Sequence, residues 1–265
     1  EYKGKPGAPV VLYYGHYDVQ PVDPLELWDT KPFEPTLKNG RLYARGAQDN
    51  KGQNSYAFAA FETLIKNNAL NCTLRLFIEG EEESGSEGLS AAMRNWPDKL
   101  KGDLLMVCDT GVVPSGAPTI TMGLRGIIHS TVKLKGSEYD LHSGVHGGAV
   151  PNPATEMARL MAALHAADGS IAVDGYYSSV RRPSAQDLKL AEEGVPSDDI
   201  YKAFVGVAPV GGEIKYSVAE RVGFRPTVEV NGIHSGYGGA GHKTIIPAFA
   251  EAKVSSRIVP DQDPE

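Results

Sequence analysis

Short apolar runs alternate with amphipathic sequence in the first part of the chain. The runs cover residues 10–14, 74–78 and 104–108, and the first and third are nearly continuously apolar. Such runs are typical of strands that are buried on both faces of a parallel sheet. Between the first two, residues 53–67 carry apolar side chains at helical spacing. Strands that alternate with a helix predict an α/β domain with a mostly parallel sheet.

The pattern changes after residue 123. Asn152 and Pro153 are a good cap and first position for a helix that extends to about residue 163. Three further segments predict strands, and the last two alternate with period two as half-buried antiparallel strands do: residues 127–134, 227–230 and 252–258. This part of the chain therefore predicts an α+β domain.

The chain has 265 residues, which is enough for two domains of ordinary size. We place one domain at residues 1–123 and a second, smaller α+β domain at residues 124–265. An insertion at about residues 171–222 has mixed polarity, and its fold is left unassigned. The chain starts without Met and stops just after a strand-like segment. We therefore expect the natural protein to extend beyond both ends and both domains to be incomplete.

Charge and composition exclude several functional classes. The net charge is −7 without a cluster of Lys or Arg, so we expect neither nucleic acid nor an anionic membrane as a partner. No apolar run approaches the roughly 18 residues of a membrane span. The two cysteines, Cys72 and Cys108, lie beside apolar runs and are predicted to be buried free thiols. Free thiols favour a cytoplasmic location.

Histidine and carboxylates follow all three apolar runs. His16 and Asp18 follow the first run, three consecutive glutamates at 81–83 follow the second, and Asp109 follows the third. The carboxyl ends of parallel strands meet at one edge of a sheet, so these groups are expected to converge. Asp49 precedes the predicted helix, where a carboxylate can stand over the same edge and bridge two cations.

Each of these features also has an ordinary structural explanation. A His–Asp pair is often a solvated surface pair, an aspartate before a helix is often a cap, and an aspartate after a strand is often a turn residue. Adjacent glutamates repel each other unless solvent or a cation relieves them. The combination favours a metal site in which one glutamate binds metal and its neighbour acts as general base on a metal-activated water.

Three segments carry a family resemblance: Gly-His-Tyr-Asp-Val-Gln-Pro at 15–21, Gly-Ala-Gln-Asp-Asn-Lys-Gly at 46–52 and Glu-Gly-Glu-Glu-Glu-Ser-Gly-Ser at 79–86. From about residue 10 to residue 260 the chain resembles the co-catalytic zinc peptidases. That family includes carnosinase, cytosolic non-specific dipeptidase, acetylornithine deacetylase and succinyl-diaminopimelate desuccinylase. The segments at 140–144 and 243–247 are most similar to the carnosinase-like dipeptidases.

The resemblance implies a hydrolase that cleaves the amide bond of a dipeptide or short peptide with a free C-terminal carboxylate. It implies two divalent metal ions, with Zn²⁺ as the first choice and Mn²⁺ or Co²⁺ as alternatives. The roles that it implies are one metal held by His16 and Asp109, the other held by Glu83, a bridge by Asp49, a general base at Glu82, and orientation of His16 by Asp18.

The resemblance implies that residues 1–123 are the metal-binding catalytic domain of a metallohydrolase and residues 124–265 its lid or dimerisation domain, through which a homodimer forms. His142 reaches across the dimer to stabilise the oxyanion in the partner's site, while Thr244 and Arg257 bind the end of the substrate. A further histidine ligand of the second metal lies beyond the end of this sequence. The other histidines match no ligand motif and are expected to be structural or at the surface: His129, His146, His165, His234 and His242.

Two alternatives remain open. One is an N-acyl-amino-acid deacylase of the same family, which shares the metals and differs in its pocket. The other is a non-catalytic fragment that binds metal or dimerises. The presence of both Glu82 and Glu83 argues against the second alternative, because a binding module needs no general base.

Overall fold

The computed structural model describes residues 1–111, 119–195 and 197–264, and the chain divides into two compact units, Glu1–Gly111 and Val112–Glu265. The sequence-based boundary after residue 123 lies later in the chain. The apolar pattern carries no signal between the last strand of the first unit and the first strand of the second. Among the described residues, no helix combines the length and the apolar character that a membrane crossing requires.

The first unit is built on a parallel sheet of three strands in which β1 lies between β4 and β5. Strands β2 and β3 form a separate antiparallel hairpin. In chain order the elements are β1 (Val10–His16), β2 (Thr36–Lys38), β3 (Arg41–Tyr43), α1 (Lys51–Lys66), β4 (Thr73–Glu79), α2 (Glu87–Asn95) and β5 (Leu104–Val107). The predicted parallel α/β domain is confirmed.

The core of the first unit forms where α1 packs on the sheet. Tyr13 of β1 is fully buried and packs with Leu74 of β4 and Ala57 of α1. The rings of Phe58 and Phe61 meet the Tyr13 ring edge-on, with centroids 5.7 and 5.3 Å away. The apolar stripe of α1 therefore fixes the helix over β1, and the first turn of α1 comes to lie beside the end of that strand.

One burial prediction in this unit is wrong. Strand β5 was expected to be buried on both faces, but all four of its residues are exposed, with Leu104 at 59% and Leu105 at 60%. Among the described strands β5 pairs only with β1, so it forms an edge of the sheet. Cys72 and Cys108 are free thiols as predicted, but they are half-buried rather than buried.

The second unit is built on an antiparallel sheet in which β10 lies between β6 and β8. A small pair, β7 and β9, is also antiparallel. In chain order the elements are β6 (Gly126–Lys135), β7 (Leu141–His142), α3 (Ser143–His146), α4 (Pro153–Ala163), α5 (Ala185–Gly194), α6 (Asp198–Val205), α7 (Val218–Gly223), β8 (Thr227–Ser235), β9 (Ile245–Ile246) and β10 (Phe249–Ile258). The predicted α+β character is confirmed.

Helix α4 covers this sheet and begins where the sequence predicts. The Asn152 side chain accepts a hydrogen bond from the Ala154 N–H at 2.9 Å. The buried Met157 and Met161 pack against Ala252 of β10, which has no exposed surface. The segment that the sequence left unassigned, residues 171–222, contains α5, α6 and α7.

Candidate metal centre

His16 is the last residue of β1 and is fully buried. Its backbone N–H donates to Asn50 Oδ1 at 3.1 Å, and its carbonyl accepts from Asn54 Nδ2 at 2.7 Å. Gly15 leaves room for these two amides, because a Cβ at that position would lie 2.2 Å from Asn54 Oδ1. The glycine before the histidine is therefore required for α1 to approach the strand end.

The imidazole of His16 lies among carboxylates from several segments. Its Nδ1 is 3.2 Å from Asp18 Oδ1. On the other side of the ring, Nε2 is 3.0 Å from Asp49 Oδ1, 3.5 Å from Asp109 Oδ2 and 3.9 Å from Glu82 Oε2. The structure thus brings together residues that are far apart in sequence. We call the following six side chains the acidic cluster: His16, Asp18, Asp49, Glu82, Glu83 and Asp109.

Asp18 connects the histidine to the glutamates. Its Oδ1 accepts from the Glu82 N–H at 3.2 Å, and its Oδ2 accepts from the Glu83 N–H at 3.0 Å. Burial works to raise the pKa of Asp18, but the hydrogen bonds from the Glu83 and Glu82 N–H groups lower it below its usual value. Asp18 therefore stays ionised while it holds both the imidazole and the loop that presents the glutamates.

Glu82 and Glu83 both belong to the cluster but differ in their contacts. Ligand atoms of His16, Glu82 and Glu83 lie within 4.8 Å of one another, as do those of His16, Asp49 and Asp109. Glu83 Oε2 also accepts a hydrogen bond from Gln20 Nε2 at 2.7 Å. The neighbouring Glu81 is exposed and belongs to neither group, because its Oε2 accepts from the Gly88 N–H at 2.7 Å.

The electrostatics of the cluster reflect crowded negative charge. Desolvation raises the pKa of Asp109, and the charges of Asp49 and Glu83 add to this effect against the opposing charge of His16. Desolvation likewise raises the pKa of Glu82, and the charges of Glu83, Asp109 and Asp49 reinforce it. For His16, desolvation works to lower the pKa, but the charges of Asp109, Glu82, Asp49 and Asp18 outweigh it and raise the pKa.

This arrangement fits divalent metal ions. One imidazole nitrogen and several carboxylate oxygens are donors that Zn²⁺, Mn²⁺ and Co²⁺ all accept. A bound cation would relieve the repulsion that raises the carboxyl pKa values. The hydrogen bond between His16 Nδ1 and Asp18 is also the contact that usually orients a metal-binding imidazole.

The predicted site residues of the second unit lie in a different setting. His142 and Thr244 are exposed, and Thr244 Oγ1 lies 3.4 Å from His142 Nε2. The Gly144 N–H donates to His142 Nδ1 at 3.0 Å. Arg257 is an exposed residue of β10. Of the histidines expected to be structural, His165 has its Nε2 3.0 Å from the Val228 carbonyl oxygen.

The sequence-based interpretation missed the residues that hold the cluster in place. Asn50 directly precedes α1 and Asn54 lies in its first turn, and both are buried, while Gln20 contacts Glu83. Residues four positions apart share one helix face. The spacing of the two asparagines could therefore have predicted that both amides face the strand end and form hydrogen bonds there, since a buried amide needs hydrogen-bond partners.

A parallel sheet whose strand ends present a histidine and carboxylates defines an α/β protein with a candidate metal site. The chain belongs to peptidase family M20/M25/M40, whose sequence profile matches residues 12–222. This finding confirms the family resemblance seen in the motifs.

Individual relatives support the same assignment. The chain is 33% identical to the Cys-Gly metallodipeptidase dug1 of Schizosaccharomyces pombe, over 100% of this chain and 56% of that protein. It is 31% identical to the Beta-Ala-His dipeptidase of Rattus norvegicus, over 98% of this chain and 53% of that protein. The chain therefore spans about half the length of the curated relatives that it matches.

A solved structure is similar to this chain in fold and in about a third of its residues. The M20 family metallo-carboxypeptidase Sso-CP2 from Sulfolobus solfataricus matches with a TM-score of 0.84 and 36% identity. The match covers 97% of this chain and 58% of that one.

Proposed function

We propose that the protein is a metal-dependent dipeptidase, which hydrolyses the amide bond of a dipeptide or short peptide with a free C-terminal carboxylate. The observation that carries the proposal is the buried imidazole of His16, which faces Asp49, Asp109 and Glu82 at 3.0 to 3.9 Å. The names of the relatives, a metallodipeptidase, a Beta-Ala-His dipeptidase and a metallo-carboxypeptidase, support the substrate class.

The number and the identity of the metal ions are also part of the proposal. We assign His16 and Asp109 to one divalent ion, Glu83 to a second and Asp49 to both, with zinc as the first choice. When bound, such ions lower the pKa of water to about 7 and polarise the scissile carbonyl. Asp18 fixes the orientation of the imidazole through its 3.2 Å contact with Nδ1.

Glu82 is the proposed general base. Its Oε2 lies 3.9 Å from His16 Nε2, which places the carboxylate beside the ligands of the proposed metal, where it can accept a proton from the attacking water. Glu82 takes the proton from the attacking water and returns it to the leaving amine, so the number of protons is conserved over the reaction. Its neighbour Glu83 is held by Gln20 and is assigned to metal binding instead.

We extend the proposal to the second unit as well. His142 is proposed to act in a homodimer on the oxyanion in the partner's site, and Thr244 and Arg257 are proposed to bind the substrate carboxylate. A planar guanidinium can grip a carboxylate with two hydrogen bonds. Exposure of all three side chains leaves them available for such contacts. A cytoplasmic location accords with the two free cysteines.

Three matched variants in the run of glutamates test the proposal. Glu82→Gln is expected to lower kcat by about 10²- to 10⁴-fold and to retain metal, because a general base contributes about that much. Glu83→Gln is expected to lose metal. Glu81→Gln is the control and should retain both metal and activity, since Glu81 lies outside both ligand groups. Equal behaviour of Glu82→Gln and Glu83→Gln would contradict the assignment.

The substrate is tested with paired compounds. A dipeptide should be cleaved, while the same dipeptide with an amidated C-terminus should be cleaved poorly, because it lacks the carboxylate. Faster hydrolysis of N-acyl-amino acids than of dipeptides would replace the dipeptidase with a deacylase.

A further inference from the structure

Asn50 connects three of the segments that form the acidic cluster. It is fully buried at the start of α1. Its Oδ1 accepts from the His16 N–H at 3.1 Å, while its Nδ2 donates to the Cys108 carbonyl at 2.8 Å and to Asp109 Oδ1 at 2.9 Å. One side chain thus joins the end of β1, the start of α1 and the segment after β5.

The contacts determine the orientation of the amide. An asparagine offers two donors on nitrogen and an acceptor on oxygen. In Asn50 both donors face oxygen atoms and the acceptor faces an N–H, so a rotated amide would leave all three contacts mismatched. Because the side chain is buried, a mismatched group would be left without a hydrogen-bond partner, which is unfavourable.

The two carboxylate oxygens of Asp109 have different partners. Asn50 Nδ2 donates a hydrogen bond to Oδ1, while Oδ2 lies 3.5 Å from His16 Nε2. The second hydrogen bond, to the Cys108 carbonyl, holds the backbone next to Asp109. The carboxylate therefore turns one defined oxygen toward the histidine.

We propose that Asn50 is a positioning residue of the metal centre, which holds Asp109 so that Oδ2 alone is directed to the metal that His16 binds. The inference rests on the proposed roles of His16 and Asp109. Asn50 binds no metal itself and acts through the geometry of the ligands.

Asn54 offers a matched comparison on the same face of α1. It is also buried, and its two hydrogen bonds join the Tyr13 hydroxyl at 2.8 Å and the His16 carbonyl at 2.7 Å. Both contacts support the fold around His16, whereas Asn50 contacts a carboxylate of the cluster. Truncation of either amide removes buried hydrogen bonds, but only truncation of Asn50 releases Asp109.

The experiment measures the zinc affinity of the protein by competition with a chelator, together with thermal unfolding in the absence of metal. Asn50→Ala is expected to weaken zinc binding by about 10- to 100-fold, the usual effect of removing a group that orients a ligand. Asn54→Ala should lower the unfolding temperature and weaken zinc binding by a clearly smaller factor than Asn50→Ala, because it leaves the hydrogen bonds to Asp109 and Cys108 intact. Asn50→Leu, which preserves side-chain volume, should weaken zinc binding as Asn50→Ala does.

Enzyme activity at saturating zinc gives a second readout. If Asn50 acts by positioning a ligand, the kcat of Asn50→Ala should recover substantially as zinc is raised, which a residue that contacts substrate would not show. Equal zinc affinity in Asn50→Ala and Asn54→Ala would overturn the inference and leave Asn50 a structural residue. His16→Ala distinguishes a failure of this inference from a failure of the proposed metal centre. Unchanged zinc binding in that variant would contradict the metal centre itself, and the role of Asn50 with it.

Discussion

Each unit of the molecule contains a buried basic side chain that faces carboxylates, His16 in the first and Arg225 in the second, and the two groups differ in how their charges are compensated. In the second unit, Arg225 Nε and Nη2 donate to the two oxygens of Glu213 at 2.6 and 2.9 Å. The guanidinium also lies over the rings of Tyr216 and Tyr177, 4.4 and 5.0 Å from their centroids. In the acidic cluster of the first unit, several carboxylates surround one imidazole.

The contrast distinguishes a structural group of charges from a functional one. Burial works to lower the pKa of Arg225, but the hydrogen bonds and charge of Glu213 outweigh it and raise the pKa, so the pair is internally satisfied. In the acidic cluster the pKa values of Asp109 and Glu82 are both raised, because desolvation and the neighbouring carboxylates outweigh the opposing charge of His16. A perturbed and uncompensated group is the expected mark of a site that acts on a ligand.

The largest expected effect on stability comes from breaking the Glu213–Arg225 pair. Glu213→Ala should lower the free energy of unfolding of the second unit by about 3 to 5 kcal/mol, because it leaves a buried guanidinium unpaired. Metal content should not change. Denaturant titration measures the free energy of unfolding, and metal analysis measures the metal content.

A double variant is the control for this effect. Glu213→Leu combined with Arg225→Met should recover most of the lost stability, since apolar replacements for both partners of a buried pair are often neutral. If Glu213→Ala also released metal, the result would contradict our interpretation that the Glu213–Arg225 pair stabilises the fold without affecting the metal site.

His142 tests whether an exposed side chain of the second unit contributes to the chemistry. His142→Ala should lower kcat by about 10²- to 10³-fold, as removal of one oxyanion donor does, and should retain metal. His242→Ala is the matched control, because His242 is also exposed. Steady-state kinetics with metal analysis measure both variants.

Mixed subunits test the action of His142 across a dimer. Inactive His142→Ala and inactive Glu82→Gln should regain activity when mixed, because a heterodimer contains one site with an intact base and a donated histidine. Demonstrated subunit exchange without recovered activity would leave His142 a structural residue.

Arg257 should show a smaller effect of a different kind. A carboxylate bound by a guanidinium is held in the ground state and the transition state alike, so Arg257→Ala should raise KM about 10- to 100-fold with little change in kcat. Arg257→Lys should recover part of the loss, because an ammonium keeps the charge without the bidentate geometry. A fall in kcat at unchanged KM would contradict substrate binding by Arg257.

The smallest effect is expected for Asp109→Asn in the metal-free protein. A carboxyl group with a raised pKa in the folded state contributes stability below its ordinary pKa, and this contribution is lost as pH rises through the folded value. At neutral pH the charged Asp109 therefore costs stability. Asp109→Asn should raise the free energy of unfolding by less than about 1 kcal/mol and should unfold at a slightly higher temperature.

Metal and pH provide the controls for Asp109. The difference between parent and variant should shrink as pH falls below about 4, where the carboxyl is protonated in both states. With zinc present the order should reverse, because the parent binds the ion more tightly. A variant that is less stable than the parent without metal would show that Asp109 serves the fold rather than the site.

Much of the fold and the composition of the cluster could be predicted from sequence. The parallel strands, α1 and the Asn152 cap of α4 follow from local patterns, which depend on periodicity and side-chain chemistry near in sequence. His16 and Asp109 were identified because the carboxyl ends of parallel strands must share an edge, and Asp49 because it precedes the helix beside that edge.

Other features depended on contacts between distant residues. The composition of β5 predicts a strand, but its exposure depends on its place at the edge of the sheet. The hydrogen bonds that Asn50 makes to His16 and Asp109 span 34 and 59 positions in sequence. Whether a glutamate is paired with a cation or crowded by other carboxylates also depends on the tertiary structure. In the sequence Glu213 and Glu82 look alike, and only folding brings the Arg225 guanidinium to Glu213 and other carboxylates to Glu82.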